Sequence, residues 1–120
     1  MNEHEHRRAP RIKRQFLVSF RAPEGGAPRW DTVPSRDMSA LGVRFLGEQP
    51  LKVGAALELE VRLPSSQRLV PMKGEVVWKQ PSACGPLWEY GVFFTALDPG
   101  AEQQLQETVA FFLTRSSEAA

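Results

Sequence analysis

The chain has 120 residues, of which 42% are hydrophobic and 24% charged, enough for one domain with a buried core. It has no apolar run long enough for a membrane span or a secretory signal, so we expect a cytoplasmic protein that does not associate with membranes. The single cysteine, Cys84, excludes an internal disulfide framework and a multi-cysteine zinc site.

The net charge of +1 conceals an asymmetry along the chain. Residues 1–21 hold six basic and two acidic side chains, a net charge of +4, whereas the remaining nine basic and twelve acidic side chains give −3. A basic segment on a mildly acidic body favours a small anionic ligand. It argues against DNA or RNA as the partner, for which we would expect the whole domain to be basic.

Residues 1–15 are polar and have no apolar periodicity, which predicts a flexible basic arm. Beyond the arm, apolar and polar residues alternate in six short segments, the pattern of half-buried strands. Pro34 is expected to end the second segment, and the polar residues 35–40 are expected to form a loop. The predicted strands are residues 16–21, 29–33, 41–46, 57–63, 72–79 and 90–95.

The periodicity becomes helical after residue 97. Asp98 is a candidate N-cap followed by proline at the first helical position. Leu105, Val109 and Phe112 fall on one face of the helix that follows, which should end near residue 115. The predicted organisation is therefore an arm over 1–15, a barrel with its helix over 16–115, and a short tail over 116–120.

These elements predict an all-β fold with one C-terminal helix. Six consecutive strands favour a small six-stranded antiparallel barrel, because closing the sheet removes its exposed edges. The helix would bury its apolar stripe over a barrel mouth or flank. Side chains fill the interior of so small a barrel, so a ligand must bind at loops or on the outer face. Trp78, in phase with Met72 and Val76, is expected in the core.

Two motifs are not explained by folding. Arg7 and Arg11 form an R-x-x-x-R pattern in the arm, and Asp37, Ser39 and Gly42 form D-x-S-x-x-G before the third strand. Arginine forks suit phosphates and the O6/N7 edge of guanine, and an ionised aspartate accepts from the guanine N1 and N2 donors. Glycine permits a close backbone approach, here by a ligand or by the arm. Together the motifs predict a site for a guanine nucleotide with phosphates.

At these motifs the chain resembles the PilZ family, whose members carry both patterns on a six-stranded barrel with a following helix. The resemblance covers residues 7–114 and includes the late hairpin with Gly74 to Trp78 and Tyr90 to Phe94. It implies a receptor for the bacterial second messenger cyclic di-GMP, acting as an adaptor toward a protein partner. The ligand would fold the arm onto the barrel by neutralising its like charges.

The resemblance also implies roles for individual residues. Arg7 and Arg11 would bind phosphates and guanine edges and stack on the bases, and Arg8 would add a phosphate contact. Asp37 would contact the guanine N1/N2 edge, and the predicted ligand set is completed by two residues that shape the loop, Ser39 and Gly42. Arg44, on the same strand face as Gly42, is a weaker candidate for the binding surface.

Two other functions remain open at this level: a PilZ-fold interaction module that binds no nucleotide, and a small-barrel nucleic-acid binder. The intact motifs argue against the first, and the acidic balance of residues 22–120 argues against the second. His4 and His6 lack further ligands for a metal, and Cys84 has no evident partner base, so we expect neither a metal or other cofactor nor an enzyme.

Overall fold

The structure is a computed structural model that describes residues 12, 15–24, 27–63, 69–83 and 85–119, with side chains described as far as residue 113. The described residues form six strands and one helix, α1. The elements are β1 (Leu17–Ala22), β2 (Ala27–Met38), β3 (Gly42–Gly47), β4 (Ala56–Arg62), β5 (Leu69–Pro81), β6 (Trp88–Ala96) and α1 (Pro99–Ala119).

The six strands form a closed barrel in the order β1-β2-β3-β6-β5-β4, and every neighbouring pair is antiparallel. Alternate residues point inward, as the sequence pattern predicts. Phe20 and Phe45 stack inside the barrel with ring centroids 4.8 Å apart, and Tyr90 lies next to Phe45 at 5.9 Å. The predicted fold class, a six-stranded antiparallel barrel with a C-terminal helix, is confirmed.

Helix α1 begins where the sequence predicts. The Asp98 Oδ1 atom accepts a hydrogen bond from the Ala101 amide at 2.7 Å, the contact expected of an N-cap. The helix buries Leu105 and Val109, and its Phe112 ring meets Phe16 of the barrel edge-on at 5.7 Å. It therefore packs over an opening of the barrel.

The predicted end of the helix near Arg115 is too early, since α1 continues to Ala119. Most of the segment expected to be a tail, residues 116–120, is thus helical. The reason lies in the sequence: residues 101–119 contain neither glycine nor proline, so nothing in them stops a helix.

The second strand is longer than predicted, and the expected loop over 35–40 is mostly strand. Pro34 lacks an N–H, but it sits where β2 passes from one partner to the other, opposite Leu17 of β1. At the next residue the Ser35 amide donates to the Phe16 carbonyl at 2.8 Å, and Ser35 itself pairs with Phe45 of β3. A proline at such a change of partner does not end the strand.

Ile12, which falls within the predicted arm, is part of the barrel. It exchanges two backbone hydrogen bonds with Met38, at 2.8 and 3.0 Å, and its side chain is buried. The boundary predicted at residue 15 is therefore too late for this residue. Residues 1–11, 13 and 14 lie outside the described residues, so the flexibility of the arm remains a prediction.

Candidate functional site

The aspartate of the second motif lies beside a bulge in β2. Ser35 pairs with Phe45 and Asp37 with Arg44, so Arg36 is an extra residue on β2. Such a bulge interrupts the in-out alternation and redirects the side chains that follow it. As a result Arg36 is exposed, whereas Ser35, Asp37 and Met38 are all buried. Arg44 points away from the barrel interior, and Asp37 opposite it shares that outer face.

Asp37 and Arg44 form a salt bridge across the two strands. The Arg44 Nε atom donates to Asp37 Oδ2 at 2.7 Å, and Arg44 Nη2 donates to the same oxygen. The aspartate side chain is only 2% exposed, whereas the arginine is 36% exposed. The hydrogen bond to Asp37 raises the pKa of Arg44, against the opposing effect of burial. The candidate ligand acceptor is thus a buried carboxylate with an arginine on one of its oxygens.

A second carboxylate lies within reach of the same guanidinium. Glu89 of β6 is 12% exposed, and its Oε2 atom lies 3.8 Å from Arg44 Nη1. Its other oxygen accepts a hydrogen bond from Gln80 Nε2 at 2.8 Å. Arg44 therefore stands between two carboxylates on neighbouring strands. The sequence analysis missed Glu89, because only the register of β3 with β6 brings it near Arg44.

Trp78 lies on the outer face of the barrel, so its predicted core position is wrong. Val76 and Trp78 pair with consecutive residues of β6, which makes Val77 the extra residue of a second bulge. This bulge takes Trp78 out of phase with the buried Val76. A Cβ atom on Gly91 would overlap the Trp78 indole, and Gly91 is the residue opposite Arg44. An aromatic surface therefore adjoins the Asp37–Arg44 pair.

Ser39 and Gly42 shape the turn between β2 and β3. Ser39 is fully buried, its amide donates to the Gly42 carbonyl at 2.9 Å, and its Oγ accepts from the Leu41 amide at 3.1 Å. A Cβ atom on Gly42 would overlap the carbonyl oxygen of Val92. The partner that approaches Gly42 closely is therefore strand β6, where we expected a ligand or the arm.

The described part of the predicted site is brought together by one hairpin. Asp37, Ser39, Gly42 and Arg44 all lie at the β2–β3 connection or beside it. The arginines of the first motif, Arg7, Arg8 and Arg11, lie outside the described residues. Whether these side chains bind a ligand remains a prediction.

A groove on another part of the barrel surface contains neither motif. It has a volume of about 610 Å³ and is lined by residues that include Trp30, Glu58, Lys73 and Leu97, and none of its lining residues belongs to either motif. The described ranges hold no cluster of three or more metal-binding side chains. In the same part of the chain, no helix has the length and apolar character needed to cross a membrane.

The chain matches one known protein family over most of its length. A family model for the PilZ domain matches residues 5–111, a range that includes both motifs. A comparison with curated proteins gave no match.

Several solved structures share the fold at low sequence identity. The PilZ domain of YcgR from Escherichia coli with c-di-GMP has a TM-score of 0.66 at 16% identity, covering 93% of this chain and 95% of that one. The inhibitor of motility MotI/DgrA from Bacillus subtilis has a TM-score of 0.73 at 16% identity and is covered over 51% of its length, against 93% of this chain. MrkH from K. pneumonia in its apo state has a TM-score of 0.76 at 11% identity, with coverages of 92% of this chain and 53% of MrkH. The chain thus spans about half of MotI and MrkH and nearly all of the isolated YcgR domain.

Proposed function

The chain belongs to the PilZ domain family, and on this premise we propose that it is a receptor for cyclic di-GMP that passes the signal to a protein partner. The observation that carries the proposal is the Asp37 carboxylate, buried to 2% exposure on the outer face beside an arginine. The arginine beside this carboxylate favours its charged form, whose oxygens are acceptors suited to the N1 and N2 donors of guanine.

The position of Ile12 supports the placement of the arginines near this carboxylate. Ile12 is paired with Met38, the residue that follows Asp37. Arg11 is the neighbour of Ile12 in the sequence, which supports the proposal that Arg11 acts at the same site as Asp37. In the proposed complex Arg7, Arg8 and Arg11 bind the phosphates and guanine edges of the ligand.

The other motif residues have a supporting role in this proposal. Ser39 and Gly42 close the turn that follows Asp37 and joins β2 to β3. Trp78 supplies an aromatic surface beside Arg44, on which a base can stack. The solved PilZ domain of YcgR with c-di-GMP, which shares this fold, supports cyclic di-GMP as the ligand in this proposal.

The signal in this proposal is a change in the arm. Like charges at Arg7, Arg8, Arg11, Lys13 and Arg14 repel one another, and the two phosphates of the ligand neutralise them. Because Ile12 is already paired with Met38, we expect the largest change in the residues before it, which carry Arg7, Arg8 and Arg11. The ordered arm together with the ligand then forms the surface that the protein partner reads.

Isothermal titration of cyclic di-GMP into the full chain tests the proposal. We expect binding at micromolar concentration or tighter, none with GTP, and a loss of roughly five- to 150-fold in Arg11→Ala, the cost of a bidentate contact. Arg62→Ala, which removes an exposed arginine of β4 outside both motifs, is the matched control and should bind as the wild type does.

Each alternative function has its own outcome in this experiment. Absence of heat with cyclic di-GMP at high concentration would overturn the receptor and favour a PilZ-fold interaction module that needs no nucleotide. Salt-dependent binding of an oligonucleotide, with no response to cyclic di-GMP, would favour the nucleic-acid binder. An unchanged affinity in Arg11→Ala would remove this arginine from the site.

A further inference from the structure

We propose that Arg44 competes with the ligand for Asp37. The ligand must displace the Arg44 guanidinium, and Glu89 then receives it. The inference rests on the proposed function, because the competing group is the guanine edge of the nucleotide. It assigns to Arg44 a role that opposes binding, unlike the arginines of the first motif. It also gives Glu89, outside both motifs, a part in binding without a contact to the ligand.

The first step concerns the hydrogen-bonding capacity of Asp37. Arg44 donates from both Nε and Nη2 to Oδ2, and two hydrogens occupy the two lone pairs of that oxygen. The N1 and N2 donors of guanine are parallel, so recognition by one carboxylate uses both of its oxygens. Guanine therefore gains the full carboxylate edge only when Arg44 gives up at least one bond to Oδ2.

The second step concerns the destination of the guanidinium. Arg44 is 36% exposed and Asp37 is 2% exposed, so the arginine is the partner with room to move. Glu89 Oε2 lies 3.8 Å from Nη1, outside hydrogen-bond distance but close enough for a small rotation to form the bond. Gln80 holds the other Glu89 oxygen at 2.8 Å. The arginine thus exchanges one carboxylate for another and keeps its charge paired.

The third step concerns the space around Arg44. The residue opposite it on β6 is Gly91, whose missing side chain leaves this position to the Trp78 indole. A guanidinium packs well against an indole, so the released side chain has an aromatic surface beside it. The exchange therefore needs a side-chain rotation and no movement of the strands.

The test measures cyclic di-GMP affinity by isothermal titration for the full chain, Arg44→Lys, Glu89→Gln and the double variant. Lysine keeps the positive charge near Asp37 but loses the fork that fills Oδ2, so we expect Arg44→Lys to bind roughly tenfold more tightly. Glu89→Gln removes the receiving carboxylate and keeps an acceptor for Gln80, and we expect roughly threefold weaker binding. In the double variant the effect of Glu89→Gln should disappear, because no guanidinium needs a new partner.

The matched control is Arg21→Lys, at the pairing of β1 with β4. Arg21 also donates from Nε and Nη2 to a single oxygen of an opposing carboxylate, that of Glu58. The same substitution there should leave the affinity for cyclic di-GMP unchanged. Circular dichroism of every variant shows whether the barrel is folded.

The outcomes separate this inference from the proposed function. If the wild type binds and Arg44→Lys binds equally or more weakly, Arg44 is not a competitor, although the receptor stands. If Arg44→Lys does not fold, Glu89→Gln decides alone, and an affinity equal to that of the wild type overturns the exchange. If neither the wild type nor Arg44→Lys binds, the receptor itself is wrong and the competitor is rejected with it. Binding by Arg44→Lys but not by the wild type would support the competition and would overturn the wild-type receptor.

Discussion

The barrel carries two arginine–carboxylate pairs of the same local design in two different settings. Arg21 lies opposite Glu58 across β1 and β4, and Arg44 lies opposite Asp37 across β2 and β3. In both pairs Nε and Nη2 of the arginine donate to one carboxylate oxygen. The settings differ in burial: the Glu58 side chain is 44% exposed and the Asp37 side chain 2%.

The difference shows that burial, more than the contact itself, decides how much a charge pair contributes to the stability of the fold. Water can replace Arg21 as a partner of Glu58, so this pair contributes little to folding. Asp37 is almost entirely removed from water, so the loss of the Arg44 hydrogen bonds costs more there than at Glu58. The buried pair is consequently the one expected to contribute more to the stability of the fold.

The largest expected effect comes from breaking each pair in turn. We predict that Arg44→Gln lowers the free energy of unfolding by about 3 kcal/mol, because it removes the arginine of a buried carboxylate. Arg21→Gln should lower it by less than about 1 kcal/mol, as is usual for an exposed pair. Urea unfolding of both variants measures the difference. Equal losses would contradict the assignment of the effect to burial.

The second effect concerns the pairing of β3 with β6. This pairing brings Arg44 near Glu89 and does not involve Arg21 or Glu58. Gly42→Ala would place a methyl group on the Val92 carbonyl oxygen, so we predict a loss of about 2 kcal/mol in the free energy of unfolding. Gly100→Ala, in the first turn of α1, meets only an ordinary contact at 3.5 Å from Asp98 Oδ1. It should leave stability unchanged or raise it by up to about 1 kcal/mol.

Tyr90 extends the comparison to a buried neutral group. Its hydroxyl donates to the Gln49 carbonyl and accepts from the Leu51 amide at 3.1 Å, and burial raises the pKa of the phenol above its ordinary value. The unfolded chain therefore ionises first as the pH rises. The contribution of Tyr90 to stability is present below about pH 10 and is lost as the pH rises through the higher folded-state pKa.

The chain has one tyrosine, so phenolate absorbance follows Tyr90 alone. We expect this absorbance to appear above the ordinary pKa of tyrosine, together with the loss of stability. Tyr90→Phe should cost about 1 kcal/mol at neutral pH by removing the two hydrogen bonds of the hydroxyl, while the Leu51 amide keeps its bond to the Gln49 carbonyl at 2.9 Å. It should also reduce the stability loss at alkaline pH. Titration of the wild type at the ordinary pKa, with no loss of stability, would contradict the shift.

The smallest effect is the response of the two pairs to salt. A double-mutant cycle on Arg21 and Glu58 should give a coupling of about 0.5 kcal/mol at low ionic strength, falling toward zero in 1 M salt. The cycle on Arg44 and Asp37 should retain most of its coupling, because buried charges are screened much less. If salt removed both couplings, the Arg44–Asp37 pair would be as accessible to solvent as the Arg21–Glu58 pair.

Much of the barrel could be predicted from alternation alone. The strand around Leu57 to Leu63 has an unbroken alternation, and β4 (Ala56–Arg62) agrees with it. The N-cap at Asp98 was also predictable, since its side-chain chemistry acts within one turn of the helix. Strand alternation and the N-cap are both local signals, so a short stretch of sequence is enough to predict them.

The errors arose where a distant strand sets the conformation. Pro34 reads as the end of a strand, yet it marks a change of partner from β1 to β3. Trp78 appears in phase with Val76 until a bulge against β6 is introduced. The reason for the glycine at position 42 lies in the Val92 carbonyl, 50 residues further along the chain. Register and bulges depend on both strands, and one strand's pattern does not contain them.

The candidate site also has residues that local motifs predict and residues that only strand pairing reveals. The motifs identified Asp37, Ser39 and Gly42, because their spacing is local. The sequence analysis considered Arg44 only as an additional surface residue, whereas the structure pairs it with the motif aspartate. Glu89 carried no motif signal and became visible only through the β3–β6 pairing.

Closure of the barrel has a consequence for how quickly the chain reaches this state. The ring is completed by β1 with β4, where Val18 meets Val61, and by β3 with β6, where Gly42 meets Phe93. Each pairing joins segments distant in sequence. A large loss of chain entropy therefore precedes the stabilising contacts. We expect a folding time on the order of milliseconds to seconds, as for other small barrels of high contact order. Until the ring closes, each intermediate sheet exposes two unpaired edges, and this is when the protein is most open to aggregation.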